Sequence, residues 1–220
     1  MISGVRAAPE SRPRGYNEFA GSNRARLEAI SDGIFAVGMT LLVLGLAVPT
    51  LDKVHTESDL LHALRDLLPS IVTYFMSFLT LGIFWVGQQT QLSKTERVNR
   101  LYTWIHLAFL LTVTMVPFST ALLARFDWSR VALIVYWLNI FVMGFVLLAG
   151  VEYGLRTRLF PEDHKGLVAR FFRRRVYGAQ ALYLVAMLLS IVDTHLSIAA
   201  FVVIQLNFVL APPIPLLQRI

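Results

Sequence analysis

The chain has 220 residues, 56% of them hydrophobic and only 15% charged, with a mean hydropathy of +0.61. A soluble domain averages about 45–50% apolar and about 25% charged residues, so this balance argues against a soluble fold and for membrane spans. The absence of cysteine removes disulfides, thiolate metal sites and cysteine nucleophiles, and the net charge of +6 is expected to mark the cytoplasmic side of a membrane protein rather than a nucleic-acid surface.

Residues 1–23, MISGVRAAPESRPRGYNEFAGSN, are polar and rich in Pro, Gly and Arg. They lack the apolar run of a signal peptide and are expected to form a flexible cytoplasmic tail. Six segments then follow, each long and apolar enough to cross a bilayer at ~20 residues. The first covers 27–48 and is stopped by Pro49; the second covers 67–90. The third, 101–124, is expected to kink at Pro117. The fourth covers 131–153, the fifth 168–192 with Arg170 and Arg173–Arg175 at the interface, and the sixth 195–211, stopped by APPIP. Residues 54–66, VHTESDLLHALRD, suit a short amphipathic helix lying on the outer face. The expected fold is therefore an all-α integral membrane protein in one domain, 24–212, with a short tail at 213–220.

Lys and Arg orient it. Arg6, Arg12, Arg14, Arg24 and Arg26 precede or open span one; Lys94, Arg97 and Arg100 follow span two; seven lie between Arg156 and Arg175; Arg219 ends the chain. The opposite side has only Lys53, Arg65, Arg125 and Arg130. This asymmetry puts both termini in the cytoplasm.

The first span opens with RLEAISDG, an unusual density of polar groups for an anchor. At about 100° per residue, Leu41, Leu44 and Val48 fall within about 40° of Val37, a narrow apolar stripe. Gly38 and Gly45 lie about 90° to one side as a small-residue seam, Thr40 about 60° to the other, and Asp32 about 140° away. A carboxylate facing lipid costs ~2.5–3.5 kcal/mol even on the lenient insertion scale, so Asp32 is expected to be buried and hydrogen-bonded. Arg26 and Asp32, about 120° apart on the helix, cannot pair with each other as i,i+4 neighbours do.

The run RLEAISDG followed by TLLVL resembles the prokaryotic, single-repeat form of the endosomal/lysosomal potassium channel family, also called the transmembrane protein 175 family. That family opens with R-x-x-x-F-S-D; Arg26, Ser31 and Asp32 match, and Ile30 replaces the phenylalanine. The likeness continues through SFLTLGIFWVGQQ and RLYTWIHLAFLLTVTMVPFSTALL, covering roughly residues 24–125. It implies a homotetramer whose four first helices line a central pore, with Val37, Leu41 and Leu44 as rings of bulky aliphatic side chains and Thr40 at the position tied to cation selectivity. It also implies a signature network of Arg26, Ser31, Asp32, Trp85, Gln88 and His106. Two departures stand out: Gln88 and Gln89 replace the family's paired histidines after Trp85, and His106 replaces an asparagine on span three.

The resemblance implies a potassium-permeable cation channel in the plasma membrane of a prokaryote, with the lipid bilayer and monovalent cations as partners and no cofactor, resident metal or nucleic acid. No TVGYG-like filter is present, so a carbonyl cage of that kind is not available. A secondary transporter, or a proton-permeable channel of the same architecture, is the second reading. The mid-membrane polar residues Thr73, Ser77, Thr80, Asn139, Gln205 and Asn207 are sparse and suit inter-helix hydrogen bonds better than substrate ligation. No hydrolase or zinc-protease motif suggests an enzyme.

Overall fold

The structure, a computed structural model, describes residues 23–50, 54–161 and 165–210. The expected tails at 1–22 and 213–220 lie outside the described residues. Those described are helical, with no strand among them: α1 Arg24–Val43, α2 Glu57–Asp66, α3 Leu68–Ser93, α4 Arg100–Thr114, α5 Val116–Arg125, α6 Arg130–Arg156, α7 Lys165–Leu188, a 3-10 turn at Leu189–Ile191, and α8 Thr194–Leu210.

The starts of these helices follow from their caps. Asn23 accepts from the Arg26 amide at 3.1 Å and Asn99 from the Tyr102 amide at 2.9 Å, each satisfying an orphan N–H of the first turn. Thr56 and Asp59 form a reciprocal capping box that opens α2, the amphipathic helix expected between spans one and two. Pro69 sits in the first turn of α3, where its missing N–H is harmless.

Among the described residues three helical stretches are long and apolar enough to cross a membrane: Leu68–Ser93, Arg100–Arg125 and Arg130–Arg156. Thr194–Leu210 is apolar but shorter. Two of the six expected spans fall short of the same measure because of their charges. Arg24, Arg26, Glu28 and Asp32 crowd α1, and Arg173–Arg175 interrupt α7.

Two boundaries differ from expectation. α1 ends at Val43, five residues before Val48, and passes into a tight turn in which Leu44, Gly45 and Leu46 donate to Leu41, Leu42 and Val43. Leu44 therefore belongs to the closing turn and Val48 lies beyond it. The third span breaks at Met115, between α4 and α5, because the Pro117 ring conflicts with the carbonyl one turn earlier. Asn139 of α6 bridges this break. With its amide oriented to satisfy both ends, the nitrogen donates to the Thr112 carbonyl at 3.0 Å, and the oxygen accepts from the Val116 N–H at 3.2 Å and the Ser119 hydroxyl at 3.1 Å.

α1 packs on α3, α4 and α5; α6 packs on α4, α5 and α7, and α8 joins α7 to α3. The main core joins Phe35, Met76, Leu81, Phe109, Val113, Leu133, Tyr136, Ile140 and Phe201. Lipid is as apolar as leucine, so packing fit and buried hydrogen bonds, rather than escape from water, hold such helices together. A polar knot serves that purpose. Tyr136 OH meets Thr80 at 3.0 Å and receives the Ser77 hydroxyl at 3.3 Å; Thr120 donates to Ser77 and Gln205 to Thr80, both at 2.7 Å. Four helices, α3, α5, α6 and α8, are tied there.

Candidate functional site

α1 has two unlike faces. Leu27, Ser31, Phe35, Gly38 and Leu42 are buried against the rest of the chain. The stripe is on the other face and is uncovered: Val37 is 56% exposed, Leu41 44%, Leu44 76%. Thr40 is exposed beside it and donates its hydroxyl back to the Val37 carbonyl at 2.9 Å, leaving the oxygen lone pairs outward. Ile30, Gly33, Ile34, Val37, Gly38 and Leu41 also line a groove whose far wall is Thr114 and Pro117, at the helix break. Of the small-residue seam, Gly38 is buried in ordinary contact. A methyl on Gly38 would stand 3.6 Å from Leu81, ordinary van der Waals distance, and Gly45 lies past the end of α1.

Five of the six signature residues fall in two clusters. In the first, Asp32 Oδ1 accepts from Trp85 Nε1 at 2.8 Å and from Gln89 Nε2 at 2.6 Å. Asp32 is thus hydrogen-bonded as expected, but in the single chain it is exposed rather than buried. Gln88, one residue earlier on α3 and so rotated by about 100°, misses the carboxylate and donates instead to Ser31 at 2.6 Å. Ser31 passes its own proton to the Leu27 carbonyl at 2.7 Å.

Arg26 and His106 do not join Asp32. Arg26 is exposed, eleven residues before Val37 and hence within about 20° of the stripe. Its place near the second cluster is taken by Arg24, which donates to Glu28 at 2.7 Å and to the Thr95 carbonyl at 2.8 Å. The i,i+4 spacing of Arg24 and Glu28 was the available signal for that pair. Thr95, Tyr102 and Gln91 continue the cluster: Tyr102 OH lies 3.1 Å from the Thr95 hydroxyl and accepts from Gln91 at 3.2 Å. His106 is buried against the Tyr102 ring at 4.6 Å between centroids, and neither ring nitrogen reaches a protein partner in hydrogen-bond geometry. Gly150 of α6 faces this pair, and a methyl there would come within 2.8 Å of the Gln91 amide nitrogen. Among the described residues no three His, Asp or Glu side chains gather as metal ligands.

These two clusters lie in the part of the chain that known proteins share. The profile of the endosomal/lysosomal potassium channel TMEM175 matches residues 26–117. A potassium channel of Streptomyces collinus is 35% identical over 188 residues, covering 83% of this chain and 90% of its own length. The chain belongs to the TMEM175 family. A second TMEM175-family relative, a potassium channel of Chamaesiphon minutus, is 32% identical over 199 residues, covering 86% of this chain and 95% of that one. The crystal structure of a lysosomal potassium-selective channel TMEM175 homologue from the same organism superposes with a TM-score of 0.74 at 31% identity, over 87% of this chain and 98% of that one. The endosomal/lysosomal proton channel TMEM175 of Danio rerio is 24% identical over 84% of this chain but only 34% of its own length. The TMEM175 family is one of ion channels, and with its apolar helices this chain is a multi-pass membrane protein.

Proposed function

We propose that the chain is a potassium-permeable cation channel in which four copies set their first helices around a common axis. The observation that carries this reading is the division of α1. One face is anchored by Ser31 and Asp32 to α3, and the other offers Val37, Leu41 and Leu44, 44–76% exposed among the described residues. Four such stripes facing one another form aliphatic rings, which constrict a path and control its wetting. Thr40, the polar group beside the stripe, supplies an oxygen at the same level and is the proposed selectivity residue. Asp32, Trp85, Ser31 and Gln88 hold the helix at its angle, with Gln89 in the role first given to Arg26 and His106.

The rest of the architecture completes the proposal: residues 24–212 as one channel domain with six spans, α1 and α7 included, and both termini in the cytoplasm of a prokaryotic cell. The partners are the bilayer and potassium, with no cofactor and no enzymatic step. The names of the bacterial relatives support potassium as the permeant ion. Proton permeation is the second reading, favoured by the vertebrate relatives named as proton channels. A transporter is disfavoured because Ser77, Thr80 and the Gln205 nitrogen are engaged with one another and with Tyr136.

The test is potassium flux from liposomes holding the purified chain, driven by a gradient alone. Flux without a second ion or energy source, and increased by Leu41→Asn, is the expected result. Absence of flux in assembled protein, or flux that needs a coupling ion, would overturn the channel. A mass in detergent other than four subunits would overturn the tetramer.

A further inference from the structure

A crevice separate from the α1 stripe opens between α3, α6, α7 and α8. Its walls are apolar, including Ile83, Phe84, Leu147 and Val176, but Arg175 stands at its mouth. The guanidinium is half-buried and lies over the Phe208 ring, 5.8 Å from the centroid. Among the described residues no carboxylate pairs with it. α3, α7 and α8 contain neither Asp nor Glu, and the single acid of α6, Glu152, is held by both nitrogens of Arg173. Deeper in the crevice Gln180 is 6% exposed; its carboxamide oxygen has no partner and its nitrogen makes one long bond, 3.3 Å, to the Ile140 carbonyl. The second N–H of that amide is unused. Gly144 makes room for this side chain, since any Cβ there would collide with Gln180.

A half-buried cation without a carboxylate beside an apolar cleft favours an anion, and the apolar walls favour hydrocarbon over water. One amphiphile meets both demands. We infer that this crevice binds an anionic phospholipid of the cytoplasmic leaflet, with its phosphate on Arg175, an ester carbonyl on the free N–H of Gln180, and an acyl chain along Ile83, Phe84 and Val176. Basic clefts between spans on that side recognise such headgroups, and exposed Arg170 and Arg174 on the same helix raise the local anion concentration. The inference rests on the proposed membrane orientation and not on conduction.

The full chain, reconstituted in vesicles of equal parts phosphatidylcholine and phosphatidylglycerol and released into mild detergent, is analysed for retained lipid by native mass spectrometry. Wild type is expected to retain phosphatidylglycerol in preference. Arg175→Gln should lower that preference roughly tenfold, as loss of a charge-assisted phosphate contact does. Arg174→Gln, which removes the same charge from an exposed position, should keep it. Equal retention by wild type and Arg175→Gln, or equal loss in both variants, would overturn the site. Displacement of the lipid by inorganic phosphate alone would make the occupant a soluble anion and overturn the lipid. Retention needs no ion flux, so a chain that binds lipid but passes no potassium would defeat the channel reading only.

Discussion

Trp85 gives its indole N–H to Asp32 across the α1–α3 interface at 2.8 Å, and Gln89 shares the same carboxylate oxygen. A single acceptor therefore fixes two side chains one helical turn apart on α3. Asp32→Ala strands both donors and is expected to lower stability in detergent by about 1–3 kcal/mol. Asp32→Asn keeps the acceptor and should cost less. Thermal unfolding of the two variants side by side checks the order; equal melting with wild type for Asp32→Ala would remove the anchor.

Adjacent residues on α1 should respond in opposite ways. Leu42 is 3% exposed and packs in the core, so Leu42→Ala should cost ~2–5 kcal/mol while leaving conduction per assembled channel unchanged. Leu41 and Leu44 face outward, so Leu44→Ala should leave the fold intact, raise conductance and weaken discrimination between potassium and sodium. Thr40→Ala should act on selectivity. Melting curves paired with single-channel recording separate these outcomes.

The break between α4 and α5 depends on a residue from a third helix. Asn139→Leu removes the group that receives the Val116 N–H and caps the Thr112 carbonyl, and should destabilise by about 1–3 kcal/mol. Pro117→Ala permits a continuous helix and should make the same Asn139 substitution much less harmful. A double-mutant cycle of the two positions measures that coupling.

His106→Phe should be neutral or stabilising. The ring contact with Tyr102 is kept, and two buried nitrogens that lack protein partners are removed. A large loss of melting temperature in this variant would mean that the imidazole is engaged.

α2 carries a pH dependence of its own. The Thr56 hydroxyl and the amides of His55 and Thr56 hold the Asp59 carboxyl below its usual value. Its folded pKa is lowered, so the stabilisation is complete above the unfolded value and is lost as pH falls through the folded one. The protection of first-turn α2 amides against exchange, relative to the intrinsic rate at each pH, should therefore fall below about pH 4, the ordinary carboxylate range. Thr56→Ala should weaken that acid dependence.

How legible all this was in the chain depends on whether one helix sufficed. The outward stripe of α1 follows from 100° steps along a single helix, and the caps at Asn23, Asn99 and Thr56 are local. The break near Pro117 is local too, though it falls two residues early because the proline clashes with the turn before it. Gln88 and Gln89 could not be told apart, because which of two neighbours meets Asp32 depends on how α3 is rotated against α1. Arg24 rather than Arg26 reaches Thr95 for the same reason. Asn139 was visible as a polar residue in mid-span, but its role needed a helix break on another element to be placed beside it.

The early end of α1 also bears on which ions are admitted. Its last turn has no basic residue, and its final carbonyls, on Leu41–Val43, are met only by the amides of the closing turn beside the proposed constriction. A helix end of this kind has at most roughly half an electron of negative charge. In the proposed tetramer four of them gather around the axis, at most about two negative charges in sum, though the stretch from Gly33 to Thr50 contains no carboxylate. Rejection of anions would then be a property of the backbone, indifferent to pH. Chloride should stay excluded even when Leu41→Asn has loosened the choice between potassium and sodium.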